Sequence, residues 1–350
     1  MDWGQVQRRA QGALFAGRLA PSPTGALHLG NARSFLLAWL SMRSQGGRVY
    51  LRIEDTDSPR VKDWAYQQTI DDLQWLGLDW DRWSASEDNE SGESPLRQTL
   101  RVQRYLDVFQ RLVQADLVYV CQCTRKDVAE AASAPHDAGW PSLEGDVYPG
   151  TCRDRLLEPD SLNGPYCWRM KLADEVTEWM DLFAGRQSAN PAKQLGDFVI
   201  AKSVVGNDGQ RVFVPSYQLA VVIDDLDQGV SEVVRGDDLI FSTYRQLAIW
   251  RFLGQREPKY FHVPLMIGKD GRRLAKRHGD TRIATLRALG ITPESVVGYL
   301  LNTCGLLPRR RAITPSACVS SFDWSKVSKE PTVFDLEEVL PSLRQLSLNS

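Results

Sequence analysis

Two short segments of the chain carry residue types suited to holding phosphate groups. The first is His28-Leu29-Gly30-Asn31, which follows a Pro/Gly loop and opens a stretch with helical spacing. A helix N-terminus leaves backbone N–H groups unpaired and carries a positive partial charge, and both favour a bound anion. The second is a glycine-flanked loop from Gly271 to Asp280 that includes Arg272, Arg273, Lys276 and Arg277. Taken singly, His28 also suits a surface position, and the loop also suits a solvated charged turn.

Three cysteines and a tyrosine form a separate pattern with metal-binding character. Cys121-Gln122-Cys123 is followed by Tyr148-Pro149-Gly150-Thr151-Cys152 in a segment rich in Gly, Pro, Ser and Asp. Thiolates favour tetrahedral zinc, and a polar segment that cannot build its own core gains order from such a site. We therefore expect one structural zinc held by Cys121, Cys123, Tyr148 and Cys152, with His136 as a spare ligand. The alternative is three reduced cysteines without a metal.

These residues must be positioned by helices and strands, and the spacing of hydrophobic residues predicts where each element lies. A short apolar strand at 14–19 precedes the Pro/Gly loop, a helix spans 27–40, and a strand at 48–53 runs into Glu54-Asp55-Thr56-Asp57. Polar residues at the carboxyl end of a strand are typical of sites in parallel α/β sheets. The sequence therefore predicts an α/β fold with a site at that edge of the sheet.

The rest of the chain predicts an interrupted sheet followed by helices. The patterns predict helices at 62–76, 96–118, 242–253 and 281–304, strands at 197–202, 221–223 and 232–236, and an irregular insertion at 121–164. We divide the chain into the first half of the α/β domain at 14–105, an insertion with the zinc site at 106–195, the second half at 196–258, and the charged loop with a helical C-terminal region at 259–350.

Composition narrows the class of protein. The 350 residues are 43% hydrophobic and 25% charged, with a formal net charge of -2, which fits a globular protein. No apolar run reaches about 20 residues and no clear cleavable signal is present, so we expect a cytoplasmic protein without membrane association. A nucleic acid would be held by local basic patches, either Arg309-Arg310-Arg311 or the loop around Arg272, although a solvated basic face explains the arginine triplet equally well.

Taken together, the two phosphate-binding segments resemble the signatures of class I aminoacyl-tRNA synthetases of the glutamyl/glutaminyl branch. His28 to Asn31 is similar to the HIGH signature, and Arg273 to Arg277 is similar to the KMSKS signature. The resemblance covers about residues 14 to 305 and implies a Rossmann-like catalytic domain split by an insertion, with ATP and Mg²⁺ between the signatures. It implies that His28 and Lys276 are catalytic. The ATP-binding residues it implies are His28, Gly30, Asn31, Arg273, Leu274 and Lys276.

The same resemblance implies a glutamate pocket. The residues it assigns to the pocket are Arg18, Ala20, Ser22, Glu54, Tyr217 and Arg235. Glu54 suits the substrate ammonium, Arg18 and Arg235 suit its carboxylates, and Tyr217 adds a hydroxyl. Without the resemblance, Tyr217 would be read as a core aromatic residue and Arg235 as part of a surface ion pair.

Two further features resemble the short, queuosine-directed members of this branch. They are the segment from Tyr217 to Asp225 and the pattern Cys-x-Cys with Tyr-x-x-x-Cys. The C-terminal region from Arg277 to Ser350 is long enough for a stem-contacting unit but not for an anticodon-binding domain as well. The resemblance implies glutamate activation without tRNA and transfer to queuosine in tRNA(Asp), and we expect a monomer.

Two alternatives to this function stay open. The first is a truncated canonical enzyme that charges the tRNA 3′ end, which the canonical look of Leu274 to Asp280 favours. Canonical glutamyl enzymes generally require their tRNA to activate glutamate. The second is a synthetase-like RNA-binding protein without catalysis, against which the retention of His28, Lys276, Glu54 and Arg235 argues.

Overall fold

The computed structural model describes residues 15–56, 61–84, 96–132, 144–162, 164–206, 208–272, 274 and 281–348. Two of its sheets have mainly parallel strands and carry the predicted site. A third sheet is antiparallel and belongs to the inserted part of the chain.

The first part of the chain alternates strands and helices, as the sequence predicts. Its elements are β1 (Ala16–Leu19), α1 (Leu29–Ser44), β2 (Arg48–Ile53), α2 (Asp63–Trp75), β3 (Leu96–Arg97) and α3 (Val102–Gln114). Strands β1, β2 and β3 pair in that order, all parallel. The helix predicted at 96–118 is shorter than expected, because its start forms β3 and a 3-10 turn at Gln98–Arg101.

The middle part of the chain contains more regular structure than the sequence predicts. Its elements are β4 (Val118–Cys121), α4 (Arg125–Ala132), β5 (Tyr166–Met170), β6 (Thr177–Asp181), β7 (Gly185–Ala189), the single turn α5 (Pro191–Gln194), β8 (Phe198–Val205) and β9 (Arg211–Pro215). An antiparallel sheet has the order β4-β5-β8-β9. This sheet runs across the predicted boundary between 195 and 196, while the β6–β7 hairpin leaves it and joins the strands described next.

The second half of the parallel sheet follows. Its elements are α6 (Tyr217–Asp227), β10 (Glu232–Gly236), α7 (Ile240–Leu253) and β11 (Lys259–Val263). The strand order is β10-β11-β6-β7, and the N–H of Ser231 donates to the carbonyl of Ala16 at 2.9 Å, which places β10 beside β1. The two parallel halves are therefore neighbours.

The prediction of a strand at Val221–Ile223 is wrong. These residues lie in the middle of α6, which begins after Ser216, whose side chain accepts a hydrogen bond from the N–H of Leu219. Every residue from Leu219 to Asp225 is buried, so the helix lacks a polar face. A helix that is buried on all sides shows no 3.6-residue hydrophobic period, and a short β-branched run within it therefore resembles a strand.

The C-terminal region is helical and returns to the sheet. Its elements are β12 (Met266–Ile267), α8 (Ile283–Ala288), α9 (Pro293–Thr303), β13 (Thr332–Val333) and α10 (Leu336–Leu348). β12, which leads into the predicted signature loop, pairs with β13. Buried residues of α1, β2, β11 and α9 form one continuous core that includes Leu36, Leu51, Val263 and Leu300. No helix among the described residues is long and apolar enough to cross a membrane.

Candidate active site

The first predicted phosphate-binding segment lies at the N-terminus of α1. His28 is the N-cap residue, and its Nδ1 accepts a hydrogen bond from the N–H of Asn31 at 3.4 Å. A neutral imidazole whose Nδ1 accepts carries its proton on Nε2. His28 can therefore donate an Nε2–H bond while the first turn of the helix offers backbone N–H groups beside it.

Gly30 is required by the position of the His28 ring. A Cβ atom at residue 30 would lie 3.2 Å from both Cε1 and Nδ1 of that ring. This distance is tighter than ordinary van der Waals contact, so a residue with a Cβ would require the histidine ring to shift by a few tenths of an ångström. The glycine of this segment thus has a steric role that its sequence position alone does not reveal.

The second segment approaches the first through its flanking residues. Leu274 is buried in the main core, and its N–H donates to the carbonyl of Met266 at 3.3 Å. On the other flank, the carbonyl of Thr281 accepts from the N–H of Leu29 at 3.0 Å, and Ile283 N–H donates to the Leu27 carbonyl at 2.9 Å. Arg273, Lys276 and the rest of 275–280 lie outside the described residues. The C-terminal flank of this segment, at Thr281 and Ile283, therefore lies beside the N-terminus of α1.

The six predicted pocket residues come from four elements that meet at one edge of the parallel sheet. Arg18 is in β1, Ala20 and Ser22 follow it, Glu54 follows β2, Tyr217 begins α6, and Arg235 is in β10. The N–H of Glu54 donates to the carbonyl of Pro21 at 3.0 Å, and Arg235 Nη1 donates to the Tyr217 hydroxyl at 3.3 Å. Ligands of open α/β sheets bind at this carboxyl edge of the strands.

The charges of this pocket act on one another. Burial raises the pKa of the Tyr217 hydroxyl, and the nearest charges that act on it are those of Arg235, Glu54 and Arg18. Arg18, Glu54, Tyr217 and Arg235 are therefore close enough to interact electrostatically. Ala20 is half-buried and Ser22 is exposed in the loop that passes the same edge.

Two residues that the sequence did not indicate hold the pocket ions in place. Arg52 is fully buried; it donates to Glu54 at 3.2 Å and its Nη1 lies 2.7 Å from Asp225. Asp225 also lies 3.4 Å from Nε of Arg18. Burial raises the pKa of Glu54, while the guanidiniums of Arg52 and Arg18 oppose this effect. The signal available in the sequence was Asp224-Asp225, an acidic pair inside an apolar run.

The cysteine pattern also converges in space. The sulfur atoms of Cys121, Cys123 and Cys152 all lie within 4.8 Å of one another, and Cys123 Sγ is 3.6 Å from Cys152 Sγ. The Tyr148 hydroxyl lies 3.4 Å from Cys121 Sγ and 4.0 Å from Cys123 Sγ. The spare candidate His136 lies outside the described residues.

These distances suit a tetrahedral metal ion. With bonds of about 2.3 Å to sulfur and about 2.0 Å to oxygen, a tetrahedron has edges of roughly 3.8 Å between sulfurs and roughly 3.5 Å between sulfur and oxygen. The observed separations are close to these edges. Three thiols supply soft ligands and the phenol supplies a fourth donor, and four protein donors without an open position are typical of a structural site. The cluster could therefore hold a metal ion.

Two residues of β5 that the sequence analysis did not select surround this cluster. Cys167 lies directly opposite Cys121 in the β4–β5 pair, and hydrogen bonds from Cys167, Tyr148 and Arg169 together lower the pKa of the Cys121 thiol. Arg169 donates from Nε to Cys121 Sγ at 3.3 Å and lies 3.6 Å over the Tyr148 ring. Cys167 and Arg169 are two apart, so they share one face of the strand. That alternation was the available signal.

The predicted RNA-contacting triplet lies on the surface. Arg309, Arg310 and Arg311 are all exposed. Arg310 donates to Asn302 at 3.3 Å and to Ser342 at 3.2 Å, which fixes it between α9 and α10. The triplet is thus accessible to a large ligand, and RNA contact stays a prediction.

Comparison with known proteins agrees with this geometry. The family model described as tRNA synthetases class I (E and Q), catalytic domain, matches residues 15–341. The glutamyl-Q tRNA(Asp) synthetases of Rhodopirellula baltica and Symbiobacterium thermophilum are 44% and 42% identical to the chain. The alignments cover 91% and 93% of this chain and 96% and 98% of those proteins. A glutamate--tRNA ligase of Syntrophobacter fumaroxidans is 36% identical over 92% of the chain and 64% of its own length.

A solved structure extends this likeness to three dimensions. The glutamate tRNA ligase from Elizabethkingia meningosepticum, in complex with its amino acid, has a TM-score of 0.72 and 26% identity. The match covers 95% of this chain and 69% of that one. The family match across both signature segments and the four-element pocket shows that the chain belongs to the class I tRNA synthetases of the glutamyl and glutaminyl type.

Proposed function

We propose that this chain activates L-glutamate with ATP, without tRNA, and transfers the glutamate to queuosine in the anticodon of tRNA(Asp). The observation that carries the proposal is the pattern of relatives. The chain spans 95–98% of three glutamyl-Q tRNA(Asp) synthetases at 41–44% identity. It spans 64% of the glutamate--tRNA ligases at 35–36% identity.

The proposed activation step needs positioning and charge neutralisation. An oxygen of the glutamate α-carboxylate attacks the α-phosphorus of ATP, a new P–O bond forms, and the α–β anhydride bond breaks. Pyrophosphate leaves with its Mg²⁺ and takes the electron pair of that bond. The attacking carboxylate is already ionised at neutral pH, so the reaction needs no general base.

Each residue of the glutamate pocket has a separate role in binding the substrate. Glu54 accepts hydrogen bonds from the substrate ammonium, and Arg18 and Arg235 bind its carboxylates, with the Tyr217 hydroxyl beside them. Ala20 and Ser22 form the pocket wall. Arg52 and Asp225 hold Glu54 and Arg18 in place, so little reorganisation is needed when glutamate enters.

The residues of the nucleotide site neutralise the phosphates. His28 donates from Nε2 on one side, and Lys276 stabilises the developing charge from the opposite loop. Gly30 and Asn31 bring the helix N-terminus to ATP, while Arg273 and Leu274 continue the site on the loop. The support for this pairing is that Thr281, just after the loop, accepts a hydrogen bond from Leu29 in the first turn of α1.

We further propose that the metal ion at the cysteine cluster is zinc, held by Cys121, Cys123, Tyr148 and Cys152. When bound, zinc supplies a structural cross-link between the end of β4 and the segment that follows residue 144. We also propose that the protein is a monomer and that residues 309–311 contact tRNA. The catalytic domain would contain an insertion that begins near residue 106.

The test begins with glutamate-dependent exchange between ATP and pyrophosphate in the absence of tRNA. Exchange supports the queuosine-directed function, and the next measurement is transfer of labelled glutamate to tRNA(Asp) with queuosine. The matched control is the same tRNA(Asp) without the modification, which should accept no glutamate. If exchange requires tRNA(Glu), the proposal is wrong and the chain is a truncated canonical glutamyl enzyme. If no exchange occurs with either tRNA, the chain is an RNA-binding protein without catalysis.

A further inference from the structure

Arg235 is held by more partners than a surface arginine would have. Its Nε donates to Nε2 of His262 at 2.9 Å, and its Nη2 donates to Thr243 at 2.8 Å and Gln246 at 2.9 Å. Its Nη1 donates to the Tyr217 hydroxyl at 3.3 Å. Within the described residues these contacts account for four of the five N–H groups of the guanidinium, and one Nη1–H remains for a ligand.

The contact with His262 depends on which nitrogen of that ring carries the proton. Arg235 Nε–H is a donor only, so Nε2 of His262 must be an acceptor and Nδ1 must carry the hydrogen. Nδ1 lies 2.6 Å from Oδ2 of Asp181, which accepts it. Oδ1 of Asp181 accepts from the N–H groups of Phe183 at 2.8 Å and Ala184 at 2.6 Å. Asp181 is thus fixed from two sides.

The surroundings keep His262 neutral. Both His262 and Asp181 are about 1% exposed. The Tyr260 ring stacks on the imidazole with 6.0 Å between centroids, and Trp179 meets it edge-on at 5.8 Å. Burial lowers the pKa of His262 to about 4, and the charge of Arg235 acts in the same direction. A cationic imidazole would place two N–H groups against each other at this contact.

We propose that Asp181 and His262 are positioning residues for glutamate recognition: Asp181 fixes the Nδ1–H tautomer of His262, and His262 fixes the plane of the Arg235 guanidinium. This inference rests on the proposed function, since it takes Arg235 as a ligand of a glutamate carboxylate. We call this chain of hydrogen bonds from Asp181 through His262 to Arg235 the relay. It sets the direction of the remaining Nη1–H of Arg235, and that direction sets which length of acidic side chain fits the pocket.

The test uses substitutions in the full chain that change the relay in different ways. Asp181→Asn keeps the size but presents an amide N–H to Nδ1, which moves the imidazole proton to Nε2 and opposes Arg235. His262→Phe removes the acceptor and keeps a ring, while His262→Gln keeps an acceptor near the Nε2 position. Tyr260→Phe is the control, because it retains the stacked ring and leaves the relay intact.

The expected kinetic result separates glutamate from ATP. Asp181→Asn and His262→Phe should raise the KM for glutamate in the exchange assay about tenfold to 100-fold, the effect of losing a hydrogen bond to a charged group. The KM for ATP should stay within about twofold, as it should for Tyr260→Phe. His262→Gln should recover part of the loss. A uniform fall in rate without a change in the glutamate KM would overturn the relay.

Nitrogen-15 NMR of the imidazoles decides the tautomer independently of catalysis. The chain has four histidines, and the His262 signals are identified by their absence in His262→Gln. They should show protonated Nδ1 and bare Nε2 at neutral pH in the parent, and the reverse in Asp181→Asn. Protonated Nε2 in the parent would overturn the relay even if the enzyme is active. The expected tautomer together with absent exchange would locate the failure in the proposed function.

Discussion

Asp72 is a buried carboxylate that should make the stability of this protein fall as the pH rises. It is 0% exposed on α2, and Oδ1 accepts from Gln68 Nε2 at 2.9 Å. Its ion pair with Arg287 is long, at 3.8 Å, and Oδ2 has no hydrogen-bond partner among the described residues. Burial raises the pKa of Asp72 from 3.8 to about 6. The charged form is therefore unfavourable in the folded state.

The sign and size of the effect follow from this shift. Because the folded-state pKa is raised, the contribution of Asp72 to stability is complete below about pH 4 and is lost as the pH rises through about 6. A shift of about two units corresponds to an upper bound of about 3 kcal/mol at pH 8, and about 1 to 2 kcal/mol remains after allowance for screening. Asp72→Asn should therefore increase the free energy of unfolding by this amount at pH 8.

The assay is urea unfolding of the parent and Asp72→Asn at about pH 4.5 and about pH 8, with the difference between the two proteins compared across pH. Asp71→Asn is the matched control, because Gln67 donates to Asp71 at 2.8 Å in the same way but Asp71 is only half-buried. Its effect should be small and nearly independent of pH. An equal difference for Asp72→Asn at both pH values, or a loss of stability at pH 8, would refute the reasoning.

Three further predictions concern the site. Lys276→Ala should lower the rate of exchange about 100-fold or more while the KM for glutamate changes little, since the charge acts on the transition state; equal loss of both would contradict this role. Cys152→Ser should lower the zinc content, measured by mass spectrometry, and the melting temperature, whereas Cys318→Ser should keep its metal. Gly30→Ala should lower kcat/KM for ATP about tenfold by displacing the helix-capping histidine, while Gly25→Ala, with open space around its Cβ, should not.

The local parts of the site could be predicted from sequence because their signals are local. The strand, the Pro/Gly loop and the start of α1 follow each other directly, and the capping of α1 by His28 involves only the next three residues. The same holds for the Cys-x-Cys pair. These features depend on residues that are adjacent in the chain and on the unpaired N–H groups of a helix N-terminus, so a single sequence is enough to predict them.

The missed residues act across long sequence separations. The side chain of Arg52 in β2 reaches Asp225 in α6, and Arg235 meets His262 because β10 and β11 are parallel neighbours in register. A buried arginine and a surface arginine look alike in a sequence. The error at Val221–Ile223 has the same origin, since only tertiary packing buries α6 on every side.

The buried ions are arranged in a way that suits the proposed substrate, which has three charged groups. Arg18 and Glu54 are each paired within the protein, through Asp225 and Arg52 respectively, so neither is left as an isolated buried charge. Such pairing contributes little to stability, but it fixes both side chains in advance of any ligand. The Arg235 side chain is also held in a fixed orientation, but by neutral partners. His262, Thr243 and Gln246 accept its hydrogen bonds without cancelling its charge. Under the proposed function, Arg235 is therefore the residue of this pocket whose charge is left for a second carboxylate of the substrate.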